Sequence, residues 1–435
     1  MSKKRIFIDC SATVYSGANT GIQRVVRNVV KWSSELKGSS ELEIIPVVVL
    51  FGYIFYIKPE FVQINKSKLI SFGSQAKLTV ESTRVKIRNK LSKYRYFGWM
   101  FVSFFEFWDR LLRFAYKILK YSRVSSFVVL SGSHNYYPKE NDTFLFLDSF
   151  WLLDLPSLFS RSLQRCGSIQ TVIYDIIPLR HPEIVEVVGC RAFAKSFHFL
   201  MTKVNKVLTI SKSVAADVKS YLLSQKYNLD SIEIKHFYLG ADFKKKSTAE
   251  IRPSVELEKL FKQDGSSVWL MVGTIEPRKN HITVIEAFDK LWKQGMNIKL
   301  VIVGRIGWKC EETLDRIQNN PMYGKSLVYL KDCADEDLQY CYQNASGLIF
   351  ASISEGFGLP LVEAMYFNVP VVCSDIPVFK EVGGDYPCYF NPLDANDLTS
   401  KIQKFPTKMN SENKNNLQIL TWQECTNQLF DQVVL

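Results

Sequence analysis

One stretch, residues 349–377, constrains the fold of this chain more than any other. An apolar strand at 347–351 leads into a loop with two glycines, a helix that begins near Pro360 follows, and a second apolar strand occupies 370–374. Proline is favoured in the first turn of a helix, because its missing N–H would have no partner there. Strand, glycine loop, helix and strand form the crossover unit of a parallel sheet. The sequence therefore predicts an α/β protein, with an anion site at the start of this helix.

Two carboxylates flank the glycine loop. Glu355 lies in the loop and Glu363 lies about one turn into the helix. A carboxylate beside a phosphate site is electrostatically unfavourable, but it can accept hydrogen bonds from paired sugar hydroxyls. The alternative is that Glu363 only complements the positive helix start and that Glu355 is an ordinary loop acid. The glycines, the proline and the flanking strands together favour sugar binding.

This pattern, two glutamates on either side of Gly-Phe-Gly-Leu-Pro, resembles the retaining glycosyltransferases of family 4 (glycosyl transferases group 1). The likeness runs from about Trp269 to Asn391. It implies the GT-B fold, in which two Rossmann-like parallel-sheet domains face a central cleft. It also implies that Glu363 holds the ribose hydroxyls and Glu355 the hydroxyls of the donor sugar. Four backbone amides would contact the sugar and the diphosphate: those of Gly356, Phe357, Gly358 and Leu359.

A second motif follows the apolar strand at 267–273. It reads Thr-Ile-Glu-Pro-Arg-Lys-Asn-His and precedes a helix predicted at 282–294. Arg278 and Lys279 are suited to phosphate, which arginine can bind through two hydrogen bonds. The alternative is a solvated basic turn. The motif resembles the diphosphate-binding segment of the family, where these cations hold the departing nucleotide diphosphate.

The resemblance extends the donor site to Gly273 and Thr274, although some relatives carry an arginine where this chain has Thr274. The chain has no Asp-x-Asp loop at a strand end and no histidine cluster with the spacing of metal ligands. We therefore expect no metal and no cofactor. The cations and the loop amides would stabilise the charge on the leaving diphosphate instead.

The N-terminal strand, predicted at 6–10, is followed by a small-residue loop and an amphipathic helix. Thr-Gly-Ile-Gln-Arg-Val is similar to the N-terminal glycine loop of family members that build bacterial polysaccharides, where it faces the donor phosphates and the acceptor. The resemblance assigns Gly21 to the donor, and Gly17, Thr20 and Arg24 to the acceptor side. A plain turn before a helix is the alternative.

A further buried strand delivers Tyr174 and Asp175 to its carboxyl end, where open α/β sheets place ligands. The resemblance puts both residues on the acceptor side of the cleft, although many relatives have histidine where Tyr174 stands. His181 is interpreted as structural or peripheral. Family members retain the anomeric configuration and need no dedicated base, since the leaving phosphate takes the acceptor proton. The candidate catalytic residues are Glu355, Arg278, Lys279 and Asp175.

A chain of 435 residues is too long for one compact core and predicts two domains. We predict an acceptor-side domain over 1–246 with an insert at about 58–123, and a nucleotide-sugar domain over 247–417. A helix at about 418–435 would pack back on the first domain. Nine scattered cysteines are typical of a cytosolic protein. No signal peptide is expected, and no apolar run reaches the roughly 18 residues that span a bilayer.

The net charge of +12 is concentrated in the insert. Residues 84–123 carry eleven basic and two acidic side chains, a net of 11 − 2 = +9. Because aromatic side chains alternate with these cations, the segment suits the surface of an anionic membrane. A helical hairpin buried against the first domain is the alternative. Single-stranded nucleic acid is disfavoured, since no nucleic-acid module is present.

The combined interpretation is a metal-independent glycosyltransferase of bacterial surface polysaccharide synthesis. It would move a sugar, with GDP-mannose as the first choice of donor, to a hydroxyl of a lipid-linked O-antigen or capsule glycan. It would work in the cytoplasm, peripherally on the inner face of the membrane. Two alternatives stay open: a soluble glucan or disaccharide synthase of the same fold, and a catalytically silent membrane scaffold.

Overall fold

The computed structural model describes residues 3–16, 20–35, 42–64, 135–242, 253–262, 265–331, 333–405 and 419–434. Gly17 and the basic part of the predicted insert, residues 84–123, lie outside these ranges. The contacts divide the chain into two compact units: Met1–Thr171 with Phe199–Val204, and Val172–His198 with Asn205–Leu435. The domain boundary predicted at 246/247 stays a prediction.

Two sheets contain the strands of the described residues. The first comprises β1 Lys4–Asp9, β2 Leu42–Leu50, β3 Tyr53–Tyr56, β4 Asn135–Tyr136, β5 Thr143–Phe146, β6 Ser168–Ile173, β7 Lys206–Thr209 and β8 Glu233–His236. The second comprises β9 Ser267–Val272, β10 Ile298–Val303, β11 Leu327–Leu330, β12 Gly347–Phe350, β13 Val371–Ser374 and β14 Cys388–Phe390.

Helices connect most of these strands. The α-helices are Ser11–Ser16, Gly21–Ser33, Pro59–Val62, Leu155–Arg161, Ile177–Arg180, Val187–Met201, Lys212–Ser224, Val255–Lys262, His281–Lys293, Glu311–Gln318, Asp335–Asn344, Leu359–Tyr366, Pro377–Gly383, Ala395–Gln403 and Trp422–Val434. Short 3₁₀ turns cover Phe150–Leu152, Pro182–Ile184 and Pro277–Lys279.

The first sheet has the order β4-β3-β2-β1-β5-β6-β7-β8. β1 pairs in parallel with β2, in the register Lys4↔Leu42, and also in parallel with β5. The β2–β3 and β3–β4 pairs are antiparallel, so the parallel core of this sheet has an antiparallel edge. Such an edge is common on sheets of this type.

The second sheet has the order β11-β10-β9-β12-β13-β14, and its strand pairs are parallel. Along the chain the sheet grows from β9 through β10 to β11, and then returns to the other side of β9 with β12. The strand order therefore reverses between β9 and β12. In open α/β sheets, ligands bind beyond the carboxyl ends of the strands at such a switch point. The loops after β9 and β12 are the two that carry the motifs predicted from sequence.

Alternate residues of β9 face opposite sides of the second sheet, as the two-residue period of a strand requires. Val268 and Leu270 belong to the cluster that also contains Leu361 and Phe379. Trp269 and Met271 belong to a second cluster, on the side that holds Phe288 and Leu291. Because both faces are covered, the strands are almost continuously apolar, as expected for a buried parallel sheet.

These observations confirm the predicted α/β class with two largely parallel sheets. The helix expected near Pro360 begins at Leu359. Most predicted strands shift by one to three residues, which is the usual uncertainty of element ends. No helix in the described ranges has the length and apolar character needed to cross a membrane.

Candidate functional site

The glycine loop after β12 begins the helix Leu359–Tyr366 in the way the sequence predicts. Gly358 has φ +98°, and a Cβ added there would lie 2.9 Å from the ring of Phe379. An L side chain would therefore be strained at this position. Pro360 occupies the first turn, where it sacrifices no hydrogen bond. The loop and the helix start are fixed by local sequence.

The N–H groups at this helix start have no hydrogen-bond acceptor among the described residues. They are the backbone N–H groups of Gly356, Phe357, Gly358 and Leu359. The positive end of the helix dipole lies at the same place. Four successive partnerless amides at a helix N-terminus have the character of an anion site.

Gly356 packs tightly against the backbone at Tyr174, a residue that the sequence predicts on the acceptor side. A Cβ at Gly356 would lie 2.0 Å from the carbonyl oxygen of Tyr174, so no larger residue fits without movement. The Ser211 hydroxyl donates to the Gly356 carbonyl at 2.8 Å, and it also accepts from the Val214 N–H and so caps the helix Lys212–Ser224. The loop is thereby held beside Tyr174 and Asp175.

The loop after β9 presents the two cations. It contains the 3₁₀ turn Pro277–Lys279 and then Asn280, which has φ 60°. The Ile353 N–H donates to the Arg278 carbonyl at 2.9 Å and so joins this loop to the glycine loop by a backbone bond. Because β9 and β12 are neighbouring strands, their two loops meet at the switch point.

Arg278, Lys279 and Glu355 form one buried ionic network with Glu276. Arg278 Nη1 lies 2.7 Å from Glu355 Oε2, and Arg278 Nε lies 2.6 Å from Glu276 Oε1. Lys279 Nζ contacts Glu355 Oε1, which also accepts from the Ser352 hydroxyl at 2.9 Å. The side chains of Lys279 and Glu355 are 9% and 10% exposed. These three predicted residues therefore come together.

The electrostatics of the network favour the charged forms of Glu355 and Arg278. Burial alone would raise the pKa of Glu355, but Arg278 and Lys279 hold that pKa at about 2. Burial opposes charge on Arg278 as well, yet the carboxylates of Glu355 and Glu276 raise its pKa above the usual value. Burial lowers the pKa of Lys279, although Glu355 opposes this.

Asp175 and Gly273 lie against the same network. Burial raises the pKa of Asp175, while the charge of Arg278 opposes the rise; its Oδ1 accepts from the Ile177 N–H at 3.0 Å. A Cβ at Gly273 would lie 3.2 Å from Lys279 Cε, so this glycine leaves room for the lysine side chain. Thr274 follows in the same loop, where its methyl group packs close to Gly307.

Glu363 has a different environment from the other predicted site residues. It is 2% exposed, and its Oε2 accepts a hydrogen bond of 2.8 Å from the Tyr342 hydroxyl. Tyr342 lies on the helix Asp335–Asn344, which carries none of the other predicted residues. The structure gives Glu363 no ion pair with Arg278 or Lys279. Its assignment to the ribose stays a prediction.

Three residues of this region were missed or misread by sequence reasoning. Glu276 was not assigned a role from the sequence, but it pairs directly with Arg278 and its side chain is 1% exposed. Ser352 was not considered. His281 is 2% exposed and neither ring nitrogen has a hydrogen-bond partner among the described residues. Burial, with a contribution from Lys279, lowers its pKa to about 3. Only the position of His281 directly after the Arg-Lys-Asn run could have indicated it.

The N-terminal predictions fall in the other compact unit. Thr20 precedes the helix Gly21–Ser33 and contacts Gln23 through its hydroxyl. Gly21 is exposed and Arg24 is partly exposed. Gly17 lies outside the described residues. The assignments of Gly17, Thr20, Gly21 and Arg24 to the donor or the acceptor stay predictions.

The same unit has a buried pair of carboxylates that the sequence did not indicate. Asp9 is the last residue of β1, Asp148 lies two residues after the neighbouring strand β5, and both are fully buried. Asp148 accepts from the Thr13 N–H at 2.6 Å, and Asp9 from the Ser11 N–H at 3.0 Å. Burial, followed by the Asp148 charge, raises the pKa of Asp9. Within the described ranges, no group of three or more His, Cys, Asp and Glu side chains could hold a metal ion.

Comparison with protein families identifies the part of the chain that contains this network. Residues 255–416 match the family profile described as Glycosyl transferases group 1. The chain is 33% identical over 260 residues to the serotype-specific mannosyltransferase WbdA of Escherichia coli, which covers 58% of this chain and 32% of WbdA. It is 30% identical over 233 residues to the O-antigen chain mannosyltransferase B of Escherichia coli, covering 53% of this chain and 59% of that protein. The chain thus spans about a third of the length of WbdA and about three fifths of the length of mannosyltransferase B.

Solved structures agree with the fold over almost the whole chain. Sucrose-phosphate synthase from Thermosynechococcus elongatus has a TM-score of 0.60 at 14% identity, with 99% of both chains covered. A glycosyltransferase from Rickettsia africae has a TM-score of 0.57 at 16% identity, covering 99% of this chain and 98% of the other. The predicted GT-B class is confirmed by this likeness. Residues 255–416 are thus similar to the glycosyl transferases group 1 family.

Proposed function

We propose that this chain is a retaining glycosyltransferase that moves a sugar from a nucleotide diphosphate sugar to a hydroxyl of a glycan. One observation carries the proposal: Arg278, Lys279 and Glu355, whose side chains are mostly shielded from solvent, lie together in the loops at the switch point of the second sheet. The partnerless amides of the adjoining helix start supply further hydrogen-bond donors. Cations, amides and a carboxylate are the groups that a diphosphate and a sugar require.

Each group has a defined role in the proposal. Arg278 and Lys279, with the loop amides, stabilise the negative charge that develops on the leaving diphosphate, so no metal is needed. Glu355 accepts hydrogen bonds from hydroxyls of the donor sugar, and Glu363 from those of the ribose. Asp175 faces the acceptor. The leaving phosphate takes the acceptor proton, so the proposed reaction requires no dedicated base.

GDP-mannose is the proposed donor, and a lipid-linked glycan of a bacterial surface polysaccharide is the proposed acceptor. The similarity to two proteins named as mannosyltransferases supports the sugar. We further propose that the enzyme works on the cytoplasmic face of the membrane, to which the basic segment 84–123 attaches it. That segment carries a net charge of +9 and many aromatic residues.

A soluble glucan or disaccharide synthase is the second candidate, and the likeness to sucrose-phosphate synthase over 99% of both chains favours it. Sedimentation with anionic vesicles separates the two candidates. The membrane enzyme should pellet with vesicles that contain phosphatidylglycerol and stay in solution with neutral phosphatidylcholine vesicles. A protein that ignores both would favour the soluble synthase.

The activity itself is tested with a thermal-shift panel of nucleotide diphosphate sugars, followed by a transfer assay. A true donor raises the melting temperature, because it binds only the native state. Lys279→Met should weaken donor binding by about tenfold or more, since a charged hydrogen bond contributes about 1.5–3 kcal/mol. Lys293→Met, at an exposed position in the last turn of the helix His281–Lys293, is the matched control. Equal donor affinity in the two variants would refute the role of Lys279.

A further inference from the structure

The two cations that are proposed to bind the diphosphate, Arg278 and Lys279, already pair with carboxylates of the protein. Arg278 uses Nε for Glu276 and Nη1 for Glu355, and Lys279 uses Nζ for Glu355. The four side chains have two positive and two negative formal charges. A diphosphate that arrives here does not meet two free cations, but two cations in a neutral network.

Glu355 is the member of this network that a ligand must disturb. Its Oε1 accepts from Lys279 and from the Ser352 hydroxyl, while its Oε2 accepts from Arg278. The carboxylate therefore occupies the position of an anion between the two cations. Glu355 directly precedes Gly356, the first of the four residues whose amides have no described partner. Its low pKa keeps it negative across the physiological range.

A nucleoside diphosphate and Glu355 compete for the same positive charges. If the diphosphate takes Arg278 and Lys279, the Glu355 carboxylate loses partners in a site where its side chain is only 10% exposed. A buried carboxylate without partners is unfavourable, and the nearby phosphate repels it. Sugar hydroxyls attached to the diphosphate can replace the lost donors, because paired hydroxyls hydrogen-bond to both carboxylate oxygens. A diphosphate without a sugar cannot.

We propose that Glu355 selects the intact nucleotide sugar against the nucleoside diphosphate that remains after transfer. This inference rests on the proposed function and adds a role for Glu355 in product release. The hydroxyls of the intact sugar donor replace the hydrogen bonds that the displaced carboxylate loses, so the donor stays bound. Once the sugar has left, Glu355 returns to Arg278 and Lys279 and expels the diphosphate. The residue then acts on specificity as well as on sugar orientation.

Calorimetric titration of GDP and GDP-mannose into the full chain tests the proposal. The wild type should bind GDP-mannose more tightly than GDP. Glu355→Gln keeps the shape of the side chain and removes its charge, so it should bind GDP at least about tenfold more tightly than the wild type does. GDP-mannose should gain nothing, because an amide replaces a carboxylate that accepts two hydroxyl groups.

Ser352→Ala is the control, since it removes one hydroxyl next to Glu355 but leaves the carboxylate charge in place. Its ratio of GDP to GDP-mannose affinities should stay within about threefold of the wild-type ratio. Unchanged or weaker GDP binding by a folded Glu355→Gln would overturn the inference. A wild type that binds GDP as tightly as GDP-mannose would overturn it without any variant.

The failure of the proposed function has a different signature. In that case the wild type binds neither GDP nor GDP-mannose, and UDP or UDP-glucose gives no heat either. Loss of transfer in Glu355→Gln does not distinguish the two ideas, and for this reason the readout is the affinity ratio. Product inhibition gives an independent check, since GDP should inhibit wild-type transfer only at concentrations above the Michaelis constant for GDP-mannose.

Discussion

Replacing Arg278 by methionine should destabilise the protein, because it leaves the buried Glu276 carboxylate without its ion-pair partner. The Glu276 side chain is 1% exposed, and Arg278 Nε at 2.6 Å is its ion-pair partner. Neither carboxylate oxygen of Glu276 has a well-aligned hydrogen bond to a described residue. Without Arg278, the protein must bury this charge with only the more distant Lys279 to offset it.

Breaking a buried pair by removing one partner costs about 3–5 kcal/mol. Lys279 remains as a partial counter-charge, so we expect a loss near the lower end, about 3 kcal/mol. For a domain of about 150–250 residues this corresponds to a fall of about 6–12 °C in melting temperature. The measurement is differential scanning calorimetry of the wild type and Arg278→Met in the same buffer.

The pH dependence of this loss identifies its origin. Burial already raises the pKa of Glu276, and the variant raises it further because Arg278 opposes that rise. A carboxylate whose folded pKa is raised favours the native state at low pH, and this contribution is lost as the pH rises through the folded pKa. The deficit of Arg278→Met should therefore be smaller at pH 5 than at pH 8.

Arg278→Met combined with Glu276→Gln is the matched control, since it removes the isolated charge as well. It should recover most of the lost stability at pH 8. A deficit below about 2 °C, or one that is the same at both pH values and persists in the double variant, would refute the argument that an unpaired Glu276 charge causes the loss.

Two further predictions concern packing and acid stability. Gly356→Ala should destabilise by about 1–3 kcal/mol, because its Cβ would lie 2.0 Å from the Tyr174 carbonyl oxygen. Gly189 lies in the helix Val187–Met201, and a Cβ there would lie 3.4 Å from its nearest neighbour, a carboxylate oxygen of Glu186. Gly189→Ala should therefore be neutral or stabilising by up to about 1 kcal/mol. Equal denaturation midpoints for the two variants would contradict this contrast. His281 has a folded pKa lowered to about 3 by burial, so its contribution to stability is lost as the pH falls from about 6.5 towards 3, by about 1.4 kcal/mol per unit. His281→Phe should lose less stability than the wild type between pH 7 and pH 4.5 in urea denaturation, and an identical loss would show that His281 does not titrate in this way.

Local sequence was sufficient to predict the elements that carry the site. Gly358 and Pro360 fix the start of a helix, because one needs positive φ and the other lacks an N–H. Apolar runs bounded by glycine predict buried parallel strands. The convergence of Arg278, Lys279 and Glu355 depends in addition on the sheet order, which makes β9 and β12 neighbours.

The partners of the acidic residues could not be predicted in the same way. Glu363 bonds to Tyr342, a residue 21 positions earlier on another helix, and no spacing rule relates two packed helices. Glu381 accepts hydrogen bonds from the N–H groups of Lys212 and Ser213, which are more than 160 positions away. Ser211 caps the helix Lys212–Ser224, and its hydrogen bond to Gly356, 145 positions away, could not be predicted either. Such contacts depend on how elements pack, which local periodicity does not encode.

The pairing within the ionic network shows why the sequence could indicate its members without their arrangement. Arg278 and Lys279 are adjacent, so in an extended strand their side chains would point to opposite faces. In the structure both reach Glu355, because the backbone turns through Pro277–Lys279 and Asn280 adopts φ 60°. The hydrogen bond from Ile353 to the Arg278 carbonyl then fixes the distance between the two loops. The neutral network is therefore a consequence of backbone geometry at the switch point, and a ligand that enters must compete with contacts that the fold itself holds in place.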